Sequence, residues 1–147
     1  MITVEDTVDI GRPAADVFKF VGTDHLKNHP RWDSGIVSFK QTTDGLVKEG
    51  TIFELERSMM GRRQTMRLVV TAFKPDKEMS FRIEGPMTAD MHMLIAPGER
   101  SSSKLTIRGQ TQFTGIGRVL EPLVRGQFKQ QVARAQRGIK EMLEAAG

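Results

Sequence analysis

The stretch GRVLEPLVRGQFKQQVARAQRGIKEMLEAA, Gly117–Ala146, decides how this chain folds. Leu120, Val124, Phe128, Val132, Ala135, Ile139 and Leu143 step by three or four and form one apolar stripe. Arg118, Arg125, Arg134, Arg137, Glu141 and Glu144 lie mainly off it. At 1.5 Å per residue such a helix reaches ~40 Å. A compact chain of 147 residues is only ~38 Å across. The helix therefore crosses the whole domain with one greasy face. Gly126 inside it costs about 1 kcal/mol relative to Ala, so a bend or close packing is expected there.

What the helix covers is read from the residues before it. From Ile36 to about Phe113 apolar side chains alternate with polar ones between turn signals. The spacing predicts strands at Ile36–Lys40, Thr51–Arg57, Thr65–Phe73, Met79–Ile83, Met87–Ala96 and from Leu105 to Phe113. Asp44-Gly45, Gly61, Pro75-Asp76, Gly85-Pro86 and Pro97-Gly98 supply the turns. Connections this short force antiparallel pairing, because parallel crossovers need a dozen or more residues. Upstream, Ile2–Ile10 alternates as a half-buried strand, with Asp6 breaking its apolar row. Pro13 suits the first turn of a helix over Ala14–Val21. A second short helix covers about Asp24–Asn28 and is stopped by Pro30. The expected class is α+β: a curved seven-stranded antiparallel sheet around a long C-terminal helix, with two short helices between strands 1 and 2.

Composition sets the outer bounds. The length suits one domain, residues 1–147. No Cys is present, which excludes a disulfide scaffold, a thiol enzyme and a Cys-zinc site. No apolar run approaches the ~18 residues of a membrane span, and the N-terminus lacks the blocks of a signal peptide. A cytoplasmic location is expected. The net charge of +4 comes from 22 Lys+Arg and 18 Asp+Glu mixed along the chain. With no Tyr and one Trp, the basic stripe interleaved with aromatics of a nucleic-acid binder is missing.

The order strand, two short helices, six strands, long helix is a helix-grip layout. Val8-Asp9-Ile10-Gly11-Arg12-Pro13-Ala14-Ala15-Asp16-Val17-Phe18 resembles the opening of the START-like, or SRPBCC, superfamily. Asp24, His29-Pro30 and Trp32 look like its second short helix and approach to the second strand, and Gly50 before Thr51-Ile52-Phe53 looks like its turn into the third. The resemblance spans nearly the whole chain. It implies a deep apolar cavity between sheet and C-terminal helix. The superfamily includes lipid-transfer domains, pollen-allergen-like proteins and polyketide cyclases, and shares no catalytic signature.

Within that layout the inward rows define a ligand site. One helix over a wide sheet leaves a hollow, and flexible thioethers line adaptable apolar surfaces. The expected lining is Phe53, Leu55, Met66, Leu68, Phe81, Met91, Met93, Leu123 and Phe128, with Met79 also inward. Gln127 and Gln131, one turn apart beside the stripe, either hydrogen-bond a ligand or form a solvated flank. Asp6 and Arg57 stand in apolar rows and either pair, meet a polar ligand group, or sit at the rim in water. The first reading is binding of a small apolar or lipid-like molecule, without a cofactor. A polyketide cyclase or dehydratase is the alternative, with Asp6, Arg57 and Gln131 its acid–base candidates. A third reading is an interaction module using Arg125, Arg134 and Arg137.

The remaining motifs are weaker. His25 and His29 are four apart, but Leu26 replaces the Glu of a zinc protease and no third ligand is evident, so solvated or cavity-mouth histidines are expected and no metal. His92, between Met91 and Met93, belongs on the outer face. Met59, Met60, Gly61, Arg62 and Arg63 form either a hairpin turn or a loop that gates the cavity and touches an anionic membrane surface. Gly115-Ile116-Gly117-Arg118 is half of a dinucleotide fingerprint without its third Gly or βαβ unit, and reads as a flexible lead into the long helix. No Ser/His/Asp or paired-carboxylate arrangement follows from spacing.

Overall fold

A computed structural model of the chain describes residues 2–59, 61–85, 88–111 and 121–146. Strands β1 (Ile2–Ile10), β2 (Ile36–Gln41), β3 (Ile52–Met59), β4 (Arg62–Lys74), β5 (Glu78–Glu84), β6 (Ala89–Pro97) and β7 (Ser103–Thr111) form one sheet. Its order is β1-β7-β6-β5-β4-β3-β2, antiparallel at every joint. Helices α1 (Ala14–Phe18) and α2 (His25–Trp32), joined by a π-helical turn over Lys19–Thr23, lie between β1 and β2. Helix α3 spans Glu121–Ala145. This is the helix-grip architecture expected. The Gly115–Arg118 reading, and Met60, Met87, Phe113 and Leu120, lie outside the described residues.

The period-2 pattern sets the sheet's faces. On β7, Leu105, Ile107, Gly109 and Thr111 are buried and alternate with more exposed Lys104, Thr106, Arg108 and Gln110. Register shifts between Ile36 and Ser38 and between Val70 and Ala72 leave Val37 and Thr71 as extra residues. Such bulges bend a strand, which helps the sheet curl. The β3–β4 hairpin closes further out than its sequence suggests, with Met59 opposite Arg62 and Gly61 at a positive φ of 79°. Arg62 and Arg63 thus belong to a strand rather than to a loop.

Helix α2 runs on to Trp32 instead of stopping before Pro30. Proline forfeits one helical hydrogen bond, yet the helix still closes with a bond from the Asp33 N–H to the His29 carbonyl at 3.2 Å. Burial of Trp32, whose ring stacks on His29 at 5.0 Å, outweighs the lost bond.

Helix α3 is held unevenly. Val132, Ile139 and Leu143 are fully packed, whereas Val124 and Phe128 are only partly buried. Buried Gln136 donates from Nε2 to the carbonyls of Asp6 and Leu105, each at 2.8 Å. Lys140 Nζ donates to the Asp9 carbonyl at 2.6 Å, and Glu144 accepts from the Gly11 N–H at 2.9 Å. These bonds pin the C-terminal half to β1 and β7. Toward its start the helix is less buried, and space opens beneath Gln127, Phe128 and Gln131. Gly126 has open space around its Cα, so close packing is not the reason for that glycine.

Candidate functional site

A cavity of about 580 Å³ occupies that space. Leu55, Met66, Phe81, Ile83, Met91, Met93 and Ile107 supply its sheet wall, and Phe128, Val132 and Ala135 its helix wall. Gln127 and Gln131 also line it. Glycine at position 109 permits one contact in this wall. A Cβ there would lie 2.4 Å from Phe128 Cζ, so only the bare strand lets the Phe128 ring approach.

Three of the residues expected in the lining lie elsewhere. Phe53 and Leu68 face inward but are fully buried. They pair across β3 and β4, under an aromatic cluster in which Phe53 lies 5.0 Å from Phe39 and 5.2 Å from His25. Helix α2 fills the room above them. Leu123 is 61% exposed, one turn nearer the start of α3 than the cavity extends. Met79 is likewise buried core.

The polar end of the cavity is built by α2, the turn after it, and β3. His29, Asp33, Gly35 and Arg57 all line it. Arg57 does not pair with Asp6. Its Nη2 donates to Asp33 Oδ2, and Asp33 Oδ1 accepts from the Gly35 N–H at 3.2 Å. A side chain at position 35 would collide with the guanidinium, its Cβ standing 2.7 Å from Arg57 Nη1. Asp6 is exposed and accepts from the Thr7 N–H at 3.0 Å.

His25 and His29 are buried, not solvated. His25 Nδ1 lies 2.7 Å from the Val21 carbonyl, and His29 Nδ1 lies 2.8 Å from His25 Nε2. Burial lowers the pKa of His25 well below the usual imidazole value, and the neighbouring His29 adds to this. Burial also lowers that of His29, with Arg57 adding to it and Asp33 opposing. Burial would raise Asp33, but His29 and the Arg57 guanidinium outweigh it and hold the carboxyl at about 2. The two imidazoles bond to each other instead of converging on a common point, which is the wrong arrangement for chelation. Among the described residues no group of three His, Asp or Glu is arranged to hold a metal.

The sequence reading missed Trp32 and Asp33 at the polar end, and Ile83, Ile107, Val132 and Ala135 in the apolar walls. For Asp33 the signal was present: the four-residue step from His25 to His29 leads, taken once more, to Asp33. A second cluster lies outside the cavity, on β5 and β6. Ser80 Oγ donates to Glu78 at 2.6 Å and lies 3.0 Å from His92 Nδ1. The serine proton is directed at the carboxylate rather than at the imidazole, so this is a structural tie and not an activated nucleophile.

The sequence model of one family, described as polyketide cyclase / dehydrase and lipid transport, matches residues 1–144. No curated protein sequence matches the chain. Among solved structures, a protein from Thermus thermophilus superposes with a TM-score of 0.81 at 16% identity, covering 99% of each chain. The Zhui aromatase/cyclase from a Streptomyces species gives 0.74 at 14% identity over 97% of this chain and 93% of its own. A START superfamily protein from Mycobacterium smegmatis gives 0.71 at 18%, over 97% of this chain and 99% of its own. At these identities the likeness is one of fold.

Proposed function

The chain belongs to the polyketide cyclase / dehydrase and lipid transport family, and on that premise we propose that it binds one small apolar or amphipathic molecule between its sheet and α3. The observation that carries this reading is the 580 Å³ cavity with its Met/Phe walls. That volume falls within the ~300–1,000 Å³ of small-molecule sites. Burying about 200 Å² of apolar ligand surface contributes about 5 kcal/mol before the entropy of association is subtracted. Thioethers at Met66, Met91 and Met93 adapt to a guest's outline, and the polar end fixes its direction.

The purified protein should bind a fluorescent fatty acid or an anilinonaphthalene probe saturably, with one equivalent per chain. Native mass spectrometry counts the equivalents directly. Absence of saturable binding across aliphatic, steroidal and aromatic probes would overturn the reading.

A second reading, a cyclase- or dehydratase-type enzyme, is favoured by one observation: a titratable group, His29, reaches the cavity wall. The two readings part on the fate of the guest. A carrier returns it unaltered, whereas an enzyme converts a poly-β-ketone either to a dehydrated product, lighter by the water lost, or to an isomeric cyclised product that chromatography separates from the substrate.

A further inference from the structure

We propose that the polar end of the cavity selects ligands bearing a hydroxyl donor, an apolar alcohol or phenol, with His29 Nε2 as the acceptor. This deepens the binding reading and rests on it. The argument begins at the Val21 carbonyl, which can only accept. His25 Nδ1, 2.7 Å away, must therefore carry its hydrogen. Burial keeps His25 neutral, so its Nε2 holds a lone pair. His29 Nδ1, 2.8 Å from that lone pair, must in turn be the donor. One backbone carbonyl thus fixes the tautomers of two rings.

A neutral His29 is left with its lone pair on Nε2. Asp33 Oδ2 stands 3.8 Å from it, beyond hydrogen-bond reach and itself an acceptor. Among the described residues no donor bonds to this nitrogen. Asp33 is already engaged by Arg57 and by the Gly35 N–H. Arg57, on β3, retains further N–H groups to place beside a ligand oxygen, and α3 contributes Gln131 and Arg134 to the same cavity. An ether oxygen offers Nε2 nothing, whereas a hydroxyl completes its hydrogen bonding.

The test compares β-naphthol with its methyl ether, titrated by fluorescence at neutral pH against the full chain. One net hydrogen bond makes the naphthol about fivefold tighter. That preference should vanish in His29→Phe and survive in His29→Gln, whose amide oxygen still accepts. The wild-type protein gives an independent readout by NMR of the imidazole nitrogens: the unprotonated Nε2 of His29 should shift on adding the naphthol and not on adding the ether. Equal affinity for both probes in the wild type overturns the selectivity and leaves the cavity reading standing. Binding of neither overturns the selectivity, and the cavity reading falls with it when the aliphatic and steroidal probes fail as well. A preference that survives His29→Phe removes the role assigned to His29.

Discussion

His25 and His29 make the native state sensitive to acid in a direction that can be worked out. An unfolded histidine titrates near 6.5, and burial holds both folded rings below that value. Below about pH 6.5 the unfolded chain takes up protons that the native chain refuses. Stability is therefore complete above that pH and falls as the pH drops through it, by about 1 kcal/mol per pH unit for each histidine. Asp33 acts lower on the scale. Its folded value of about 2 lies beneath the ordinary 3.8, so its contribution is present above about pH 4 and is lost as the pH falls toward 2. Urea unfolding at about pH 7 and about pH 5 measures the histidine part. Equal free energies at the two would contradict it. The ion pair makes a second residue-scale prediction. Arg57 and Asp33 side chains are only 16% and 15% exposed. Arg57→Leu leaves a carboxylate without its partner and should cost about 3 kcal/mol, whereas Arg57→Leu with Asp33→Asn costs less, because no uncompensated charge remains. Urea midpoints of the two variants decide it.

At the scale of elements, the pinning of α3 is testable through Gln136. Gln136→Leu keeps the side chain's bulk but removes the donor shared by the Asp6 and Leu105 carbonyls. The expected loss is about 2 kcal/mol. Gln130→Leu, on the exposed part of the same helix, should change stability by no more than about 0.5 kcal/mol. The same helix shows what a sequence reveals and what it hides. Its stripe, and the alternating rows of all seven strands, are legible because period and turn chemistry are local. Which inward residues meet open space is not local. Phe53 and Leu55 share one row of β3, yet α2 covers the first and leaves the second at the cavity. Likewise Gln127 and Gln131 reach the cavity, while Leu123, one turn earlier on the same helix row, is exposed. The polar end was hidden for a related reason. Pro30 reads as a helix stop, and only the burial of Trp32 carries α2 far enough to bring Asp33 beneath Arg57.

For the molecule as a whole, a guest that binds in the cavity should add to the stability of the fold. A guest in the 580 Å³ cavity makes dispersion contacts with its apolar walls. Mass action then couples occupancy to folding. A ligand at about one hundred times its Kd stabilises the native state by about 2.7 kcal/mol. For a chain of this size each kcal/mol raises Tm by about 2–4 °C, so a shift of about 5–10 °C is expected in a thermal-unfolding scan with a bound probe. Ala135→Phe separates this effect from surface adsorption. Ala135 lies on α3, lines the cavity and is partly buried, so a phenyl ring there projects into the hollow. It should hold the basal stability or raise it by about 0.5–2 kcal/mol of added packing and abolish the probe-induced shift. A probe that still raises the Tm of Ala135→Phe by the full amount would be binding outside the cavity, and the coupling of the hollow to stability would have to be abandoned.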